Sequence, residues 1–494
     1  GQAWNLATGR AETPLKTLHL QTPLSRHRIC VHSLRVHADN PPEQTATEDW
    51  YTWVPSTTPT PPPQNLPVVG PVTQRVVRGE AGHLRYSNGE RARFWGINLT
   101  GGSAIPPQDK AASLAAKLAG LGFNAVRLHH IDGPHAGLLN PRRHVDGEPT
   151  FSPDKLDDLD FFVHQLKEHG IYLFLEVATQ RQLGPKDGLP HTGPLPNGHK
   201  LATVFRPRWR NAYLQAFEEL WGRENPHTGL RYADDPVVAT VELSNEHSLL
   251  ANWGGGIEGL HRSHLIILDQ LWNTWLKKRY ESDQQLDEAW QGSASRGGLL
   301  RGESLQDGSV RREPLHTGLR YSYPHRRLLD LNRFYMDLEG EFYQAVSEKA
   351  ASLGFQQPIV ASMSFGRPQL QHLYSAWDAA DLHSEWDQTR KRQRLTHRSA
   401  LEAPHSEALL QQTAFAVANQ AFLVTEINHP FPNKHMAEAP FLWAALASRQ
   451  DWDALIWFDW LVDTPVRRQG FVHSQFDLSH ATVKTAQMPT ASSL

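Results

Sequence analysis

The sequence contains a single cysteine, Cys30, among 494 residues, so no disulfide bond can form within the chain and the redox compartment stays undetermined. No run of about 18 apolar residues is present, so no membrane-spanning helix is expected. The formal net charge is only -3, which indicates neither nucleic acid nor an anionic membrane as a partner. A glycine-rich phosphate loop, a Gly-x-Ser-x-Gly elbow and an internal repeat are also absent.

Aromatic residues, in contrast, are plentiful. The chain has 16 Trp and 11 Tyr, and their flat faces are suited to stacking on the apolar faces of sugars, although many such rings fill protein cores. The first residues, Gly1-Gln-Ala-Trp4, do not form a basic and apolar leader. We expect a secreted or periplasmic protein, any leader of which has been removed or is not included in this sequence.

Three regions are predicted from the patterning. Residues 1–75 alternate like strands in places and contain a stiff proline-rich stretch around residues 55–63. They form either an extra sheet packed on the main domain or a poorly ordered arm. Residues 76–480 form the main domain, and residues 481–494 form a carboxyl-terminal tail.

The main domain alternates strands with amphipathic helices. A hairpin with its turn at Asn88-Gly89 is predicted to cap the bottom of this domain. Eight strands follow, at 94–98, 124–129, 171–176, 237–243, 358–362, 380–383, 422–426 and 454–459. Because this alternation is eightfold, the sequence predicts an α/β fold of the (β/α)8 barrel type with a β-rich, proline-rich amino-terminal extension.

Two of these apolar strands end in a glutamate. Val-Glu-Leu-Ser-Asn245-Glu246 is strand four, and Phe-Leu-Val-Thr-Glu426 is strand seven. These strands lie across the mouth of a barrel from each other, so the two carboxyl groups can face one another over a bound ligand. One such glutamate is most simply a salt-bridged rim residue. Two at matching positions indicate an acid and a nucleophile for cleaving a glycosidic bond.

The motifs resemble those of the clan A glycoside hydrolases, and within the clan those of the cellulase-like proteins related to family 5. The residues that carry this resemblance are Ser244-Asn245-Glu246, Thr425-Glu426, Arg93-Phe-Trp-Gly-Ile-Asn98 and Gly122-Phe-Asn-Ala-Val-Arg127-Leu-His-His130. The similarity extends over about residues 76–480. It implies a retaining β-glycosidase that works through a covalent glycosyl-enzyme and needs no metal or organic cofactor.

The resemblance also implies a role for each matching residue. Glu246 is the general acid/base, and Glu426 is the nucleophile. Asn245 donates to the sugar 2-hydroxyl, and Arg127 keeps the nucleophile ionised. We expect burial and the negative charge of Glu426 to raise the pKa of Glu246. The strand-six histidine and the strand-eight aromatic floor correspond to His383 and Trp457.

Several further positions are predicted to contact substrate. Clan members often carry a Tyr where this chain has Glu385, so the role of that carboxylate stays open. The other predicted contacts are His129, His130, Trp386 and Asn428, and Glu176 either reaches the pocket or holds a neighbouring loop. His129, His130, His135 and Asp132 also suggest a metal cluster, but adjacent residues on a strand point apart, which favours hydrogen bonding to sugar.

The mode of action is predicted from the long insertion between strands four and five. This insertion could close one end of the cleft, and its helices resemble those of β-galactosidases of the same clan. An exo-type β-glycosidase, such as a β-galactosidase or β-glucosidase, is therefore favoured. The alternatives are an endo-acting β-glucanase or β-mannanase, a non-catalytic carbohydrate-binding barrel, and a metal-dependent hydrolase on the same barrel.

Overall fold

The computed structural model describes residues 70–494, apart from residues 134–135, 144–147, 177–179, 182, 191–197, 254, 291–297, 315–324, 363–367, 388–394, 403–413 and 462–473. Residues 1–69, which make up most of the predicted amino-terminal extension, lie outside the described residues, as does His135.

Eight strands form a closed barrel in which each strand is parallel to both neighbours and follows chain order. They are β1 (Phe94–Thr100), β2 (Ala125–His129), β3 (Tyr172–Glu176), β4 (Val238–Asn245), β5 (Ile359–Ser362), β6 (Ala379–Glu385), β7 (Ala421–Asn428) and β8 (Ala454–Trp460). The predicted (β/α)8 barrel is therefore confirmed, and all eight predicted strands belong to it.

Helices lie between the strands and in the insertion that follows β4. They are α1 (Gln108–Gly120), α2 (Pro153–Glu168), α3 (Gly198–Phe205), α4 (Pro207–Trp221), α5 (Leu249–Asn252), α6 (Arg262–Lys277), α7 (Asp283–Trp290), α8 (His325–Ser352), α9 (Pro368–Tyr374), α10 (Ala439–Gln450), α11 (Thr482–Thr485) and α12 (Met488–Ala491). Short 3-10 helices occur at Glu80–Gly82, Gly101–Ala104, Pro185–Asp187 and Met436–Glu438. Within the described part of the chain, no helix is long and apolar enough to cross a membrane.

A small hairpin covers the amino-terminal end of the barrel, as predicted, but its two strands are not joined by the predicted turn at Asn88-Gly89. Its strands, Val76–Arg78 and Leu84–Tyr86, pair antiparallel around residues 79–83. The Asn88-Gly89 turn lies just beyond them and leads into β1 by way of an Arg85 to Arg91 bridge. The ring of Tyr86 stacks on that of Tyr172 from β3 at a centroid distance of 5.6 Å. The barrel floor is therefore closed by side chains of the hairpin.

The side chains inside the barrel change from apolar to polar along the strands, from the amino-terminal to the carboxyl-terminal end. Alternate residues of a strand point to the same face, and in β2 the inward positions are Ala125, Arg127 and His129. In β6 the corresponding series is Ala379, Asp381 and His383. The lower members belong to an apolar cluster with the hairpin, whereas the upper members are buried polar residues. Polar groups are therefore collected at the carboxyl-terminal end of the barrel, where catalytic groups of such barrels lie.

Asp453, just before β8, ties the hairpin to the barrel. Its side chain is buried, accepts hydrogen bonds from the backbone nitrogens of Leu84 (2.7 Å) and Phe422 (3.1 Å), and pairs with Arg91. We expect Asp453→Ala to lower the free energy of unfolding by about 2 to 4 kcal/mol, because buried donors lose their acceptor. Urea denaturation followed by tryptophan fluorescence measures this change.

The matched control is Asp234→Ala. Asp234 pairs with Arg231, but both side chains are about half exposed, so the loss of this pair costs less than about 1 kcal/mol. Equal destabilisation by the two substitutions would contradict the anchoring role of Asp453.

Candidate active site

The two glutamates predicted from the strand ends both approach the same nitrogen of one buried imidazole. His383 Nδ1 lies 3.2 Å from Glu246 Oε1 and 3.5 Å from Glu426 Oε1. The side chain of His383 is buried, whereas that of Glu246 is 37% exposed and that of Glu426 is 9% exposed. The acid predicted on strand four and the nucleophile predicted on strand seven are thus brought together at the barrel mouth.

Glu246 has a backbone conformation that is uncommon for a residue with a side chain. Its φ is +59°, in the left-handed region, directly after the last residue of β4. His130, directly after β2, has a φ of +56°. Such conformations cost free energy and are concentrated at functional sites, so the strand ends that carry these two residues have the strain expected of a site.

Charge around His383 determines the protonation of the pair. Burial alone would lower the pKa of His383, but the charge of Glu426 and hydrogen bonds with Asp381 and Glu246 raise it well above its ordinary value. Burial likewise raises the pKa of Glu246, yet the hydrogen bond and charge of His383 outweigh burial and lower it below the usual range. The expectation of a raised Glu246 pKa was therefore wrong, because it did not include a cation between the carboxylates.

Glu426 is held by one of its two oxygens. Oε1 accepts a hydrogen bond from Arg127 Nη1 at 2.9 Å and lies 3.4 Å from His129 Nε2, in addition to His383 Nδ1. Oε2 accepts no hydrogen bond from any residue that the structure describes. Burial raises the pKa of Glu426, and the charges of His383 and Arg127 oppose this rise without overcoming it. The predicted contact of Arg127 with the nucleophile is present, but its effect is weaker than burial.

Arg127 lowers the pKa of Glu426 less than expected, because a second carboxylate also binds its guanidinium. Glu242, on β4, accepts two hydrogen bonds from the Arg127 guanidinium, both at 2.7 Å. Sequence reasoning missed Glu242, although a charged residue at an inward position of an otherwise apolar strand is a detectable signal. Asn98 and Asn245 accept the remaining guanidinium hydrogens at 3.0 and 2.9 Å. Because Arg127 binds the oxygen of the Asn245 amide, the amide nitrogen is left as the end that can donate.

Lys200, from α3, also belongs to the site and was missed. Its side chain is buried and its ammonium donates to the backbone oxygen of Asn245 at 3.0 Å. Its charge helps to lower the pKa of Glu246. No motif marked this lysine, because it reaches the site from a helix and not from a strand end.

His129 and His130 face different partners. His129 Nδ1 lies 2.5 Å from Glu176 Oε2, whereas His130 Nε2 lies 3.0 Å from the Gln180 amide nitrogen. Burial lowers the pKa of both imidazoles well below the ordinary value. Asp132 accepts hydrogen bonds from the backbone nitrogens of residues 180 and 181 and so shapes a loop. These contacts account for the two histidines and for Asp132 without a metal ion.

A different group of residues has the spacing of a metal site. Among the residues described, ligand atoms of Glu242, Asp381 and His383 lie within 4.8 Å of one another. Arg127, however, binds both oxygens of Glu242, and Thr425 donates to both oxygens of Asp381 through its backbone nitrogen and its hydroxyl. The donors are already bound by the protein's own groups, so this cluster does not fit a metal centre.

Trp457 does not lie where a strand-eight aromatic floor requires it. Its ring is fully buried against Trp95, at a centroid distance of 5.6 Å, and belongs to the core on the helix-facing side of the barrel wall. Phe458, the next residue, points inward, and its ring lies 5.8 Å from that of His129. The predicted residue is one position away from the residue that faces inward, and adjacent residues of a strand point to opposite faces of the sheet.

Trp386 and Asn428 have structural contacts that limit their availability to substrate. The Trp386 indole is buried, donates to the backbone oxygen of Arg398 at 2.9 Å and stacks on His429. The Asn428 amide donates to the backbone oxygen of Phe476 at 2.6 Å and accepts from Lys484 at 2.6 Å. Glu385 lies at the end of β6, in register with Asn428 and half-buried. The predicted substrate roles of these three residues stay predictions.

Comparison with known proteins gives similarity at the level of the fold. No protein-family profile and no curated protein sequence matches this chain. A β-galactosidase from Rahnella sp. R3 superposes with a TM-score of 0.57 and 16% identity, over 81% of this chain and 55% of that chain. For a family 42 β-galactosidase from G. stearothermophilus the values are 0.53 and 15%, over 81% and 56%. An endo-β-1,4-mannanase from Thermotoga petrophila gives 0.51 and 13%, over 82% and 77%.

The barrel therefore has the fold of these glycosidases. The chain spans little more than half the length of the two β-galactosidases.

The position of His383 leads to a prediction about pH dependence. Its positive charge favours the ionised forms of both glutamates, so His383→Gln should raise both of their coupled pKa values. The acidic limb of the pH profile of kcat/KM, which depends on Glu426, is then expected to move to higher pH by about one unit. The alkaline limb should move to lower pH, because the proton that His383 holds in the wild type, where its pKa is raised, must then be held by the carboxyl group of Glu246. The control is His372→Gln, which removes an exposed histidine of α9. A profile that changes only in height would contradict the electrostatic role.

Proposed function

We propose that this chain is a retaining β-glycosidase that works by double displacement through a covalent glycosyl-enzyme. The observation that carries the proposal is the facing pair of glutamates, Glu246 and Glu426, which approach the same His383 nitrogen at 3.2 and 3.5 Å. The Oε1 atoms of the two glutamates are therefore less than about 7 Å apart. This upper limit lies above the spacing of about 5 to 5.5 Å for retention and at the lower end of the range of about 6.5 to 9.5 Å for inversion, which supports retention.

In the proposed first step, Glu426 attacks the anomeric carbon through Oε2, the oxygen that its neighbours leave available. Oε1 stays bound to Arg127 and becomes the carbonyl oxygen of the glycosyl ester. Glu246 protonates the departing oxygen. Because the resting site holds its proton on His383, 3.2 Å from Glu246, that proton passes to Glu246 before it reaches the leaving group.

In the second step, water attacks the same anomeric carbon. Formation of the ester has removed the negative charge of Glu426, so Glu246 no longer faces a charged neighbour. As a carboxylate it accepts a proton from water, and the hydroxide equivalent displaces Glu426. Two inversions at one carbon give net retention, and neither step requires a metal ion or an organic cofactor.

The substrate that we propose is a β-linked glycoside, and we favour action at chain ends. Support comes from the long insertion after β4, which begins next to Glu246 in the sequence and contains α5 to α8. The similarity to two β-galactosidases also supports it. Endo-action on a β-mannan or β-glucan is the second candidate, because the fold is similar to that of an endo-β-1,4-mannanase as well. A secreted or periplasmic location is part of the proposal, because polymeric β-linked glycans cannot cross a membrane and must be hydrolysed outside the cytoplasm.

A substrate screen with product analysis tests the proposal. Aryl β-galactosides, β-glucosides and β-mannosides are compared with β-mannan and β-glucan, each with and without a chelator. We expect hydrolysis that the chelator does not affect, and early product with the β configuration, observed by proton NMR before mutarotation. Inverted product contradicts the mechanism, chelator-sensitive hydrolysis favours the metal-dependent alternative, and binding of glycan without turnover favours a non-catalytic barrel.

Two substitutions separate the roles of the glutamates. Glu246→Ala should still form the glycosyl-enzyme from an activated aryl glycoside, because a good leaving group needs no acid, but it should lose natural substrates. Azide needs no base, so it should restore turnover and give a β-glycosyl azide. Glu426→Ala should lose turnover of both substrate classes by several orders of magnitude.

Azide can enter the space left in Glu426→Ala too, but from the nucleophile's side, so any glycosyl azide formed there must have the α configuration. If Glu246→Ala loses both substrate classes alike and azide restores nothing, Glu246 is not the acid/base, and Glu385 or Glu176 takes its place as the candidate.

A further inference from the structure

A chain of buried polar contacts connects strand β3 to the nucleophile. Glu176, the last residue of β3, has Oε2 at 2.5 Å from His129 Nδ1. The other nitrogen of the same imidazole, Nε2, lies 3.4 Å from Glu426 Oε1. The three side chains are 2%, 1% and 9% exposed. A carboxyl group that does not contact Glu426 is therefore one imidazole away from it.

The direction of these contacts depends on where His129 carries its proton. Burial and the charge of Arg127 keep this imidazole neutral, because they lower its pKa well below the ordinary value. A neutral imidazole has one N–H and one acceptor nitrogen. To favour an ionised nucleophile, the N–H must be at Nε2, facing Glu426. Nδ1 is then an acceptor, and the oxygen 2.5 Å from it must carry a hydrogen.

We propose that Glu176 is a positioning residue that acts on the nucleophile through His129. As a carboxylic acid it donates its O–H to His129 Nδ1, which fixes the tautomer with Nε2–H directed at Glu426 Oε1. This inference rests on the proposed role of Glu426. No net proton transfer occurs during the reaction: Nε2–H, 3.4 Å away, faces Oε1 both when it is a carboxylate oxygen and when it is the carbonyl oxygen of the ester.

The consequence for catalysis is a choice between the two oxygens of Glu426. Arg127, His129 and His383 all approach Oε1. Each donor makes Oε1 less nucleophilic and holds the carboxylate plane, so Oε2 is the atom that attacks. Other charged or titratable groups around Glu426 are Glu246, Glu242, Lys200, Asp381 and Asp459, and His129 itself is packed against His130 and Phe458.

Two substitutions of Glu176 distinguish this role from a merely structural one. In Glu176→Gln the amide nitrogen can replace the O–H as donor to Nδ1, so we expect kcat within about threefold of wild type and an unchanged pH profile. Glu176→Leu leaves Nδ1 without a donor and allows the tautomer to change. Glu426 then loses the N–H dipole that lies 3.4 Å from Oε1 and favours its ionised form, so the acidic limb of kcat/KM should move up by about one pH unit, and kcat should fall about tenfold.

The matched control is Glu303→Gln, in the insertion after β4. Glu303 is a buried carboxylate that pairs with Arg327 at 2.7 Å, so its substitution should lower the melting temperature without moving the acidic limb. The proposal is overturned if Glu176→Leu leaves the acidic limb in place, or if Glu176→Gln moves it as far as Glu176→Leu does. The second outcome would mean that Glu176 acts as a carboxylate.

A spectroscopic measurement tests the same inference without enzyme activity. The imidazole nitrogens of the full chain, labelled with 15N, report which nitrogen is protonated, and the His129 signals are those that disappear in His129→Gln. We expect Nε2 protonated and Nδ1 unprotonated in wild type and in Glu176→Gln, and a changed ratio in Glu176→Leu. A wild-type spectrum with the proton on Nδ1 overturns the proposal. If the wild type hydrolyses no glycoside, the proposed function fails, and this spectrum alone decides the contact.

Discussion

The site depends on one buried guanidinium. Arg127 has five N–H groups, and each meets an acceptor: two go to Glu242, and one each to Asn98, Asn245 and Glu426. These acceptors come from β1, β4 and β7, so one side chain of β2 fixes the spacing of four strands at the barrel mouth. A buried cation with its donors unsatisfied would destabilise the fold by about 3 to 5 kcal/mol, and the acceptors are therefore constrained to stay in place.

The sharing of Arg127 among its acceptors explains the charges of the neighbouring groups, Glu426, Glu246 and His383. Glu242 binds two of the five Arg127 donors, which leaves one for Glu426, and burial keeps the pKa of Glu426 raised. His383 is a second cation beside Glu246 and Glu426, because the charge of Glu426 and the hydrogen bonds with Asp381 and Glu246 raise its pKa. In the proposed mechanism, the proton that Glu246 delivers is held on this imidazole, which lies 3.2 Å from Glu246 and 3.5 Å from Glu426. The low pKa of Glu246 in the resting site follows from that storage and does not conflict with a role in proton transfer.

The barrel and the position of both glutamates could be predicted from the sequence because each depends on local pattern. Strand ends of a parallel barrel meet at one mouth whatever their side chains, so Glu246 and Glu426 had to converge. Contacts that depend on which face of a strand a residue occupies were harder to predict from the sequence. Trp457 lies one position away from the inward face, which Phe458 occupies.

Residues that reach the site from positions other than the strand ends produce no recognisable pattern in the sequence. Lys200 comes from a helix, and Glu242 lies one layer below the strand end. Asn428 was predicted to contact substrate, yet buried Lys484 from α11 donates to its amide oxygen at 2.6 Å, and the amide in turn binds the backbone after β8. Asn428 is two residues from Glu426 on β7. Helix α11 lies in the segment that the sequence predicts to be a tail, yet it holds the strand that carries Glu426. No local periodicity encodes this link, because its two ends are brought together only by closure of the barrel.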